Sequence, residues 1–124
     1  MINNKFKFNI IGLFTTDNKS MVPFYRDVIG FTTDWNGEEP DVRMRMGDMW
    51  LIMFPRKNFE RMTNREYTYP QGLNSTMELA LNVPTFKDVD DEYSRVTALG
   101  GKAHIRSANH AMGTTYLLCS CPGR

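Results

Sequence analysis

Apolar and polar positions along the chain follow nearly the same pattern twice, about 68 residues apart. An apolar stretch from Phe8 to Phe14 leads into a helical pattern that ends at Gly30. Farther along, Glu78 to Val83 leads into a second helical pattern that ends at Gly100. Repetition of this kind indicates a repeated structural unit. The sequence therefore predicts two units, each made of a strand, a helix and several short strands.

The first unit is predicted over residues 6–55. Its helix is expected to begin at Ser20, a residue type that caps helix N-termini, with Pro23 in the first turn, where the missing N–H costs little. The buried face of that helix is formed by Met21, Phe24, Tyr25 and Val28, at three- and four-residue steps. Short strands are predicted at 31–36, 41–46 and 49–55, with turns at Gly37 and Gly47-Asp48.

Residues 56–75 are polar and contain Pro70 and Gly72, so they are predicted to link the two units. The second unit is predicted over 76–124. In its first strand, polar positions alternate with Leu79, Leu81 and Val83, which places these three under the helix. Thr85 with Asp88 three residues later is a candidate N-cap for that helix. Two further strands are predicted at 102–106 and 114–119.

Composition fits one globular domain over residues 1–124, with 41% apolar residues. Fifteen basic and fourteen acidic residues give a net charge of +1, so no charge excess favours binding to nucleic acid or an anionic membrane. No apolar run approaches the roughly 18 residues that span a bilayer, and residues 1–5 lack the apolar core of a signal peptide. A cytoplasmic location is predicted. Cys119 and Cys121 are interpreted as free thiols.

The end of the first helix carries the most specific motif. Asp17 is followed by Phe24-Tyr25-Arg26-Asp27-Val28-Ile29-Gly30-Phe31, which resembles the F-Y-x-x-x-L-G-F signature of the vicinal oxygen chelate superfamily. Its members include glyoxalases, bleomycin-resistance proteins and extradiol dioxygenases. Residues 47–54 resemble the family's fourth strand, and residues 113–116 the start of its last hairpin. The resemblance implies an α+β fold of two tandem βαβββ modules, whose mixed sheets curl into a cup.

Metal-using members of that superfamily place ligands on the first strand of each module and on the last strand of one or both. The corresponding positions here are Ile10, Ile52 and Glu78, and the final strand that would supply a fourth ligand is missing after Leu118. His104 and His110 fall on none of these positions. One possible ligand out of four does not hold a divalent ion, so no metal and no other cofactor is predicted.

The inward positions of the predicted cup form an aromatic and apolar wall with a few polar groups, which is typical of a small-molecule pocket. The predicted pocket residues are Ile10, Gly12, Trp50, Ile52, Phe54, Glu78, Asn82 and Tyr116. The alternative is that the aromatic side chains fill a closed core.

Glu78 is the best catalytic candidate, because a carboxylate in an apolar cup is costly unless it is paired or protonated. It could receive a cationic ligand, with Trp50 adding a cation–π contact, or act as a general base. Alternatively, Glu78 faces water or pairs with Arg43 or Arg45. No nucleophilic motif or phosphate-binding glycine loop accompanies it.

Two functional classes follow from these residues. The favoured class is a metal-independent protein that binds or sequesters a flat or cationic small molecule, such as a drug. The alternative is a metal-dependent enzyme of the glyoxalase or dioxygenase type, and a structural subunit with a filled cup is a third possibility. The resemblance also implies a homodimer. A missing final strand leaves a sheet edge unpaired, so we expect the natural product to extend beyond Arg124 or its tail after Leu118 to be altered.

Overall fold

The computed structural model describes residues 5–69, 79–103 and 119–120. Its chain forms two compact units, Met1–Tyr67 and Thr68–Arg124. The strands are β1 (Ile10–Thr15), β2 (Val42–Met46), β3 (Met49–Pro55), β4 (Lys102–Ala103) and β5 (Cys119–Ser120). The helices are α1 (Asn18–Pro23), continued by a π-helical segment (Phe24–Ile29), α2 (Arg56–Thr63) and α3 (Phe86–Ala98). The fold is therefore a small α+β structure.

A mixed three-stranded sheet in the order β1-β3-β2 forms the centre of the first unit. β1 runs parallel to β3, with Ile10 opposite Trp50, and β2 runs antiparallel to β3. The β2–β3 turn lies at Gly47-Asp48 as predicted, and Gly47 has a positive φ of 58°. The predicted strand at 31–36 is reduced to one bridge, in which Thr32 pairs with Arg45.

One face of this sheet is buried and belongs to the core of the first unit. Its most deeply buried positions are Thr15, Val42, Met44, Leu51 and Met53, all at most 2% exposed. The helical part of the unit adds Met21, Val22 and Phe24 to the core. Because side chains alternate along a strand, burial of this set leaves the intervening positions on the opposite face.

The N-cap of the first helix lies three residues before the predicted one. Asp17 caps it, and its carboxylate accepts a hydrogen bond from the backbone N–H of Lys19 at 3.1 Å. The prediction of Ser20 was therefore wrong, because the carboxylate satisfies the free N–H groups one turn earlier. The helix ends at Gly30 as predicted, with φ of 105°, a region that glycine occupies at little cost.

The predicted linker contains helix α2, which the sequence interpretation missed. Phe59 of α2 lies against Phe14 of β1, with 4.4 Å between ring centroids, and Tyr67 stacks on Phe59 at 5.2 Å. Asn64 ends the helix in the left-handed conformation, with φ of 53°. Although the sequence of α2 is largely polar, its Phe59 makes an aromatic contact with the end of the sheet.

The second unit contains α3, which begins at Thr85 as predicted. Thr85 and Asp88 form a reciprocal capping box, with both side-chain-to-backbone distances at 3.1 Å. The predicted strand at 78–83 is not formed over its described part, 79–83. β4 and β5 pair antiparallel. β4 lies within the strand predicted at 102–106, and β5 shares Cys119 with the strand predicted at 114–119. Over the described residues, no helix is long and apolar enough to cross a membrane.

Candidate functional site

The face of the sheet opposite the core carries apolar side chains that the described residues leave uncovered. We call it the open face, and its members are Ile10, Gly12 and Phe14 of β1, Arg43 and Arg45 of β2, and Trp50, Ile52 and Phe54 of β3. Ile10 is 52% exposed and Phe14 is 43% exposed, whereas Leu51 on the core face is 2% exposed. Exposed apolar groups that lie together on one surface are typical of a binding site rather than of a finished core.

Strand register arranges the open face in rows. The first row contains Ile10, Trp50 and Arg45, and the bridge to β2 places Thr32 at its end. The second row contains Gly12, Ile52 and Arg43. Side chains directly opposite on neighbouring strands lie about 5 Å apart, so each row presents a continuous strip of surface.

A depression in the open face lies at Gly12. Its flanking neighbours on the same face of β1 are Ile10 and Phe14, and its partner across the ladder is Ile52. A Cβ built at Gly12 meets no described atom within 4 Å, so the described residues leave the space above its backbone open. Glycine weakens a strand interior and often marks a point where a ligand or another backbone approaches. The depression therefore has room for a flat group.

Arg45 covers part of Trp50. The guanidinium carbon lies 5.5 Å from the centre of the indole ring, within the range of a cation–π contact. The Nε of Arg45 donates a hydrogen bond of 2.7 Å to the carbonyl oxygen of Gly47, in the turn that follows β2. The cation–π contact expected between Trp50 and a cationic ligand is thus already made by the protein's own Arg45.

A groove of about 730 Å³ begins at this arginine and runs along the edge of β2. Its lining residues are Gly30, Thr32, Thr33, Asp34, Arg43, Arg45, Met46, Gly47 and Trp50. The Oγ1 of Thr33 donates a 2.7 Å hydrogen bond to the carbonyl oxygen of Arg43, which ties the 31–36 segment to β2. Only Trp50 of this set was among the predicted pocket residues. The arginines were weighed solely as partners for Glu78, since a sequence does not give the position of a strand edge.

Five of the predicted pocket residues lie together on the open face, and the other three belong to the second unit or lie outside the described residues. Ile10, Gly12, Trp50, Ile52 and Phe54 all lie on the open face. Asn82 belongs to the second unit and is exposed. Glu78 and Tyr116 lie outside the described residues, so their place in the pocket stays a prediction.

The far end of the open face is aromatic. Phe54 lies opposite Phe14 across the β1–β3 ladder. Phe14 contacts Phe59 of α2, which in turn stacks on Tyr67, itself 38% exposed. The sequence interpretation missed Phe59 and Tyr67 because they fall in the predicted linker. The phenylalanines of β1 and the spacing of Phe59 and Tyr67 were the signals in the sequence that could have indicated this aromatic cluster.

A comparison with known protein families assigns this chain to a superfamily. Residues 7–120 match the model of the Glyoxalase/Bleomycin resistance protein/Dioxygenase superfamily. The chain belongs to this superfamily, as the F-Y motif indicated. No curated protein matches the chain in sequence.

Several solved structures have a similar fold, and some of them carry glyoxalase-related names. A glyoxalase-related enzyme from Fulvimarina pelagi has a TM-score of 0.75 and 21% identity, over 94% of this chain and 81% of that one. A glyoxalase/bleomycin resistance protein/dioxygenase family enzyme from Burkholderia phytofirmans PsJN has a TM-score of 0.77 and 20% identity, over 94% and 91% of the two chains. Lactoylglutathione lyase from Agrobacterium tumefaciens has a TM-score of 0.59 and 17% identity, over 86% and 79%. At these identities the likeness establishes the fold alone.

The metal that some superfamily members use finds no suitable donors in the described part of this site. Ile10 and Ile52 occupy the two ligand positions on β1 and β3, and their hydrocarbon side chains offer no lone pair. The described residues also contain no group of three His, Cys, Asp or Glu side chains close enough to hold an ion. The residues present on the open face therefore do not fit a divalent metal.

Proposed function

We propose that this protein binds a small, flat molecule on the open face without using a metal, as drug-binding or drug-sequestering members of the superfamily do. The carrying observation is the depression at Gly12, which lies between Ile10 and Phe14 with Trp50 and Phe54 on the neighbouring strand. A flat ring placed there covers apolar groups that are otherwise exposed. Each 100 Å² of apolar surface removed from water contributes about 2.5 kcal/mol, before the costs of association are subtracted.

The finer architecture belongs to the same proposal. In this proposal the two units are βαβββ modules whose sheets form a cup, and the open face of the first unit is one wall of it. Glu78, Asn82 and Tyr116 stay predicted pocket residues in this proposal. The protein is further proposed to be a cytoplasmic homodimer, which light scattering on the purified full chain tests directly.

Filling the depression gives a sharp test of ligand binding. The probe is naphthalene-2-methanol, a flat neutral molecule, followed by ligand-detected NMR and by Trp50 fluorescence in a Trp35→Phe background. Trp35 is a suitable residue to remove because it lies outside the groove, with its Nε1 donating to the carbonyl oxygen of Glu39 at 2.9 Å. We expect saturable binding to the wild type and its loss in Gly12→Val.

Gly12→Val is informative because it should not harm the fold. The φ of Gly12 lies outside the positive range, an added Cβ meets no described atom within 4 Å, and valine is favoured over glycine in strands by up to about 1 kcal/mol. Thr16→Val, which exchanges an exposed hydroxyl for a methyl group beyond the end of β1, is the control for added apolar surface and should bind the probe normally. Equal binding by Gly12→Val and wild type, with both folded by circular dichroism, would contradict the proposal.

Metal analysis tests the other functional class. Untagged protein is dialysed against nickel, zinc, manganese and iron and its metal content is measured, with Glu78→Gln as control. We expect less than a tenth of an equivalent. About one equivalent, lost in Glu78→Gln, would overturn the metal-free proposal and direct the search to glyoxalase or dioxygenase substrates.

A further inference from the structure

Two arginines stand at successive outward positions of β2, beside the depression. Arg43 lies in the row of Gly12 and Ile52, and Arg45 lies in the row of Ile10 and Trp50. Side chains two residues apart on a strand are separated by about 7 Å. Both arginines are exposed and both line the groove. A molecule that rests on the apolar rows of β1 and β3 therefore meets two guanidinium groups at its edge.

Arginines outnumber carboxylates among the residues that line the groove. Asp34 is the single carboxylate among the groove-lining residues, against two guanidinium groups. Among the described residues, neither Arg43 nor Arg45 takes part in an ion pair. The three ion pairs of the described residues lie elsewhere, at Arg26, Lys87 and Arg95. An unpaired arginine at a groove is well suited to a carboxylate, phosphate or sulfonate, because its planar fork donates two parallel hydrogen bonds.

Arg45 is also held in place before any ligand arrives. Its Nε donates a hydrogen bond to the Gly47 carbonyl oxygen, and its guanidinium carbon lies 5.5 Å from the centre of the Trp50 ring. Side-chain ordering on binding costs about 0.5–1.5 kcal/mol for a flexible side chain, and a guanidinium already fixed at two points avoids part of that cost. The terminal nitrogens remain as donors, since the recorded hydrogen bond uses Nε.

We infer that the ligand of this site carries an anionic group next to a flat apolar part, with Arg43 and Arg45 binding the anion. The inference rests on the proposed function and names its ligand class. It replaces the flat or cationic molecule expected from the sequence by a flat acid, such as an aromatic carboxylate. Phosphate and sulfonate groups share this chemistry, and a probe series with each head group separates them.

Three probes with the same ring separate charge from shape: naphthalene-2-carboxylate, naphthalene-2-methanol and naphthalen-2-ylmethylammonium. Dissociation constants are measured by calorimetry or NMR at 50 mM salt with the full chain. We expect the carboxylate to bind about tenfold more tightly than the alcohol, as a hydrogen bond to a charged group allows. The ammonium should bind more weakly than either. Salt at 500 mM should weaken the carboxylate and leave the alcohol unchanged.

Arg43→Met is the diagnostic variant, because methionine keeps an apolar stem of similar reach and removes the charge. It should remove most of the carboxylate's advantage, about tenfold, with the affinity for the alcohol unchanged. Arg45→Met should act in the same direction, and Arg45→Lys should restore part of the effect. Arg61→Met, on exposed α2, changes net charge equally and should leave all three affinities unchanged.

The outcomes separate the two proposals. If the alcohol binds and is lost in Gly12→Val but the carboxylate has no advantage, the inferred ligand class is wrong and the proposed function stands. If none of the three probes binds, the proposed function itself fails. If the ammonium binds most tightly and that preference disappears in Glu78→Gln, the site is built for a cation and the inference is overturned.

Discussion

The two faces of the central sheet should respond very differently to the same loss of side-chain atoms. Leu51 and Ile10 are isomeric side chains on paired neighbouring strands, and substitution by alanine removes three carbons from each. Leu51 is 2% exposed on the core face, whereas Ile10 is 52% exposed on the open face. Comparing Leu51→Ala with Ile10→Ala therefore isolates the effect of burial.

The expected magnitudes follow from these exposures. Leu51→Ala leaves a cavity in the core and should lower the free energy of unfolding by about 3 kcal/mol, within the range of buried leucine truncations. Ile10 buries about half of its surface, so its truncation loses only about half of a transfer free energy of roughly 2 kcal/mol. We expect a loss of about 1 kcal/mol. For a chain of this size, 1 kcal/mol corresponds to about 4 °C in Tm.

Urea unfolding followed by circular dichroism measures both changes, and Tm values of about 12 °C and 4 °C below the wild type should accompany them. The affinity for naphthalene-2-methanol should also differ between the two variants. Ile10→Ala should weaken it, while Leu51→Ala should leave it unchanged below the lowered Tm. Equal destabilisation by the two substitutions would refute this reasoning, because it would place Ile10 in a filled core and support the closed-cup alternative.

Three further predictions concern local structure. Thr85→Ala removes the half of the capping box in which the Asp88 N–H donates to the Thr85 hydroxyl, and it should destabilise α3 by about 1 kcal/mol, seen as a lower Tm. An unchanged Tm would show that this hydroxyl contributes nothing to the stability of α3. Gly30→Ala places a Cβ at φ of 105° and should cost about 1–2 kcal/mol in urea unfolding, whereas a neutral result would mean that the turn relaxes. Hydrogen bonds from Arg26 hold the pKa of Asp27 below its ordinary value. This carboxylate therefore stabilises the fold at pH values above its unfolded-state pKa, and the effect is lost as pH falls through its folded-state pKa. NMR titration of Arg26→Gln should show a higher Asp27 pKa, and an unchanged value would contradict this assignment.

The sequence predicted those parts of the fold that depend on local chemistry. The alternation of β3, the turn at Gly47-Asp48, the helix end at Gly30 and the Thr85 cap are each set by a few neighbouring residues. Such signals act over one turn or one strand, so they are readable without knowing the tertiary structure. The superfamily follows from the same region, since its motif lies at the end of the first helix.

Features that depend on distant contacts were not predictable in the same way. α2 has few apolar residues, and its aromatic contact runs from Phe59 to Phe14 on a strand 45 positions earlier in the chain. The choice of Asp17 over Ser20 as N-cap depends on where β1 ends, since both residue types cap well. Of the strand predicted at 31–36, the structure has only the bridge between Thr32 and Arg45 of β2, and this pairing depends on a distant segment of the chain.

The alternation of side chains along the strands was enough to predict part of the open face. Period-two spacing identified Ile10, Gly12, Trp50, Ile52 and Phe54 as one surface, and the β1–β3 register places them side by side. The same rule applied to β2 would have added the arginines. The sequence interpretation considered Arg43 and Arg45 only as possible partners of Glu78.

The hydrocarbon side chains of Ile10 and Ile52 offer no metal ligands, and they also affect the charge that surrounds Arg43 and Arg45. A bound cation would repel the guanidinium groups of Arg43 and Arg45 on the adjacent rows, and the apolar side chains leave those groups without a competing positive charge. The rows therefore carry a consistent arrangement, apolar on β1 and β3 and basic on β2. An anionic ring satisfies both halves at once, whereas a cation would bury the apolar half and be repelled by the basic one. For this reason an anionic group should strengthen the binding of a flat ring, and a cationic group should weaken it.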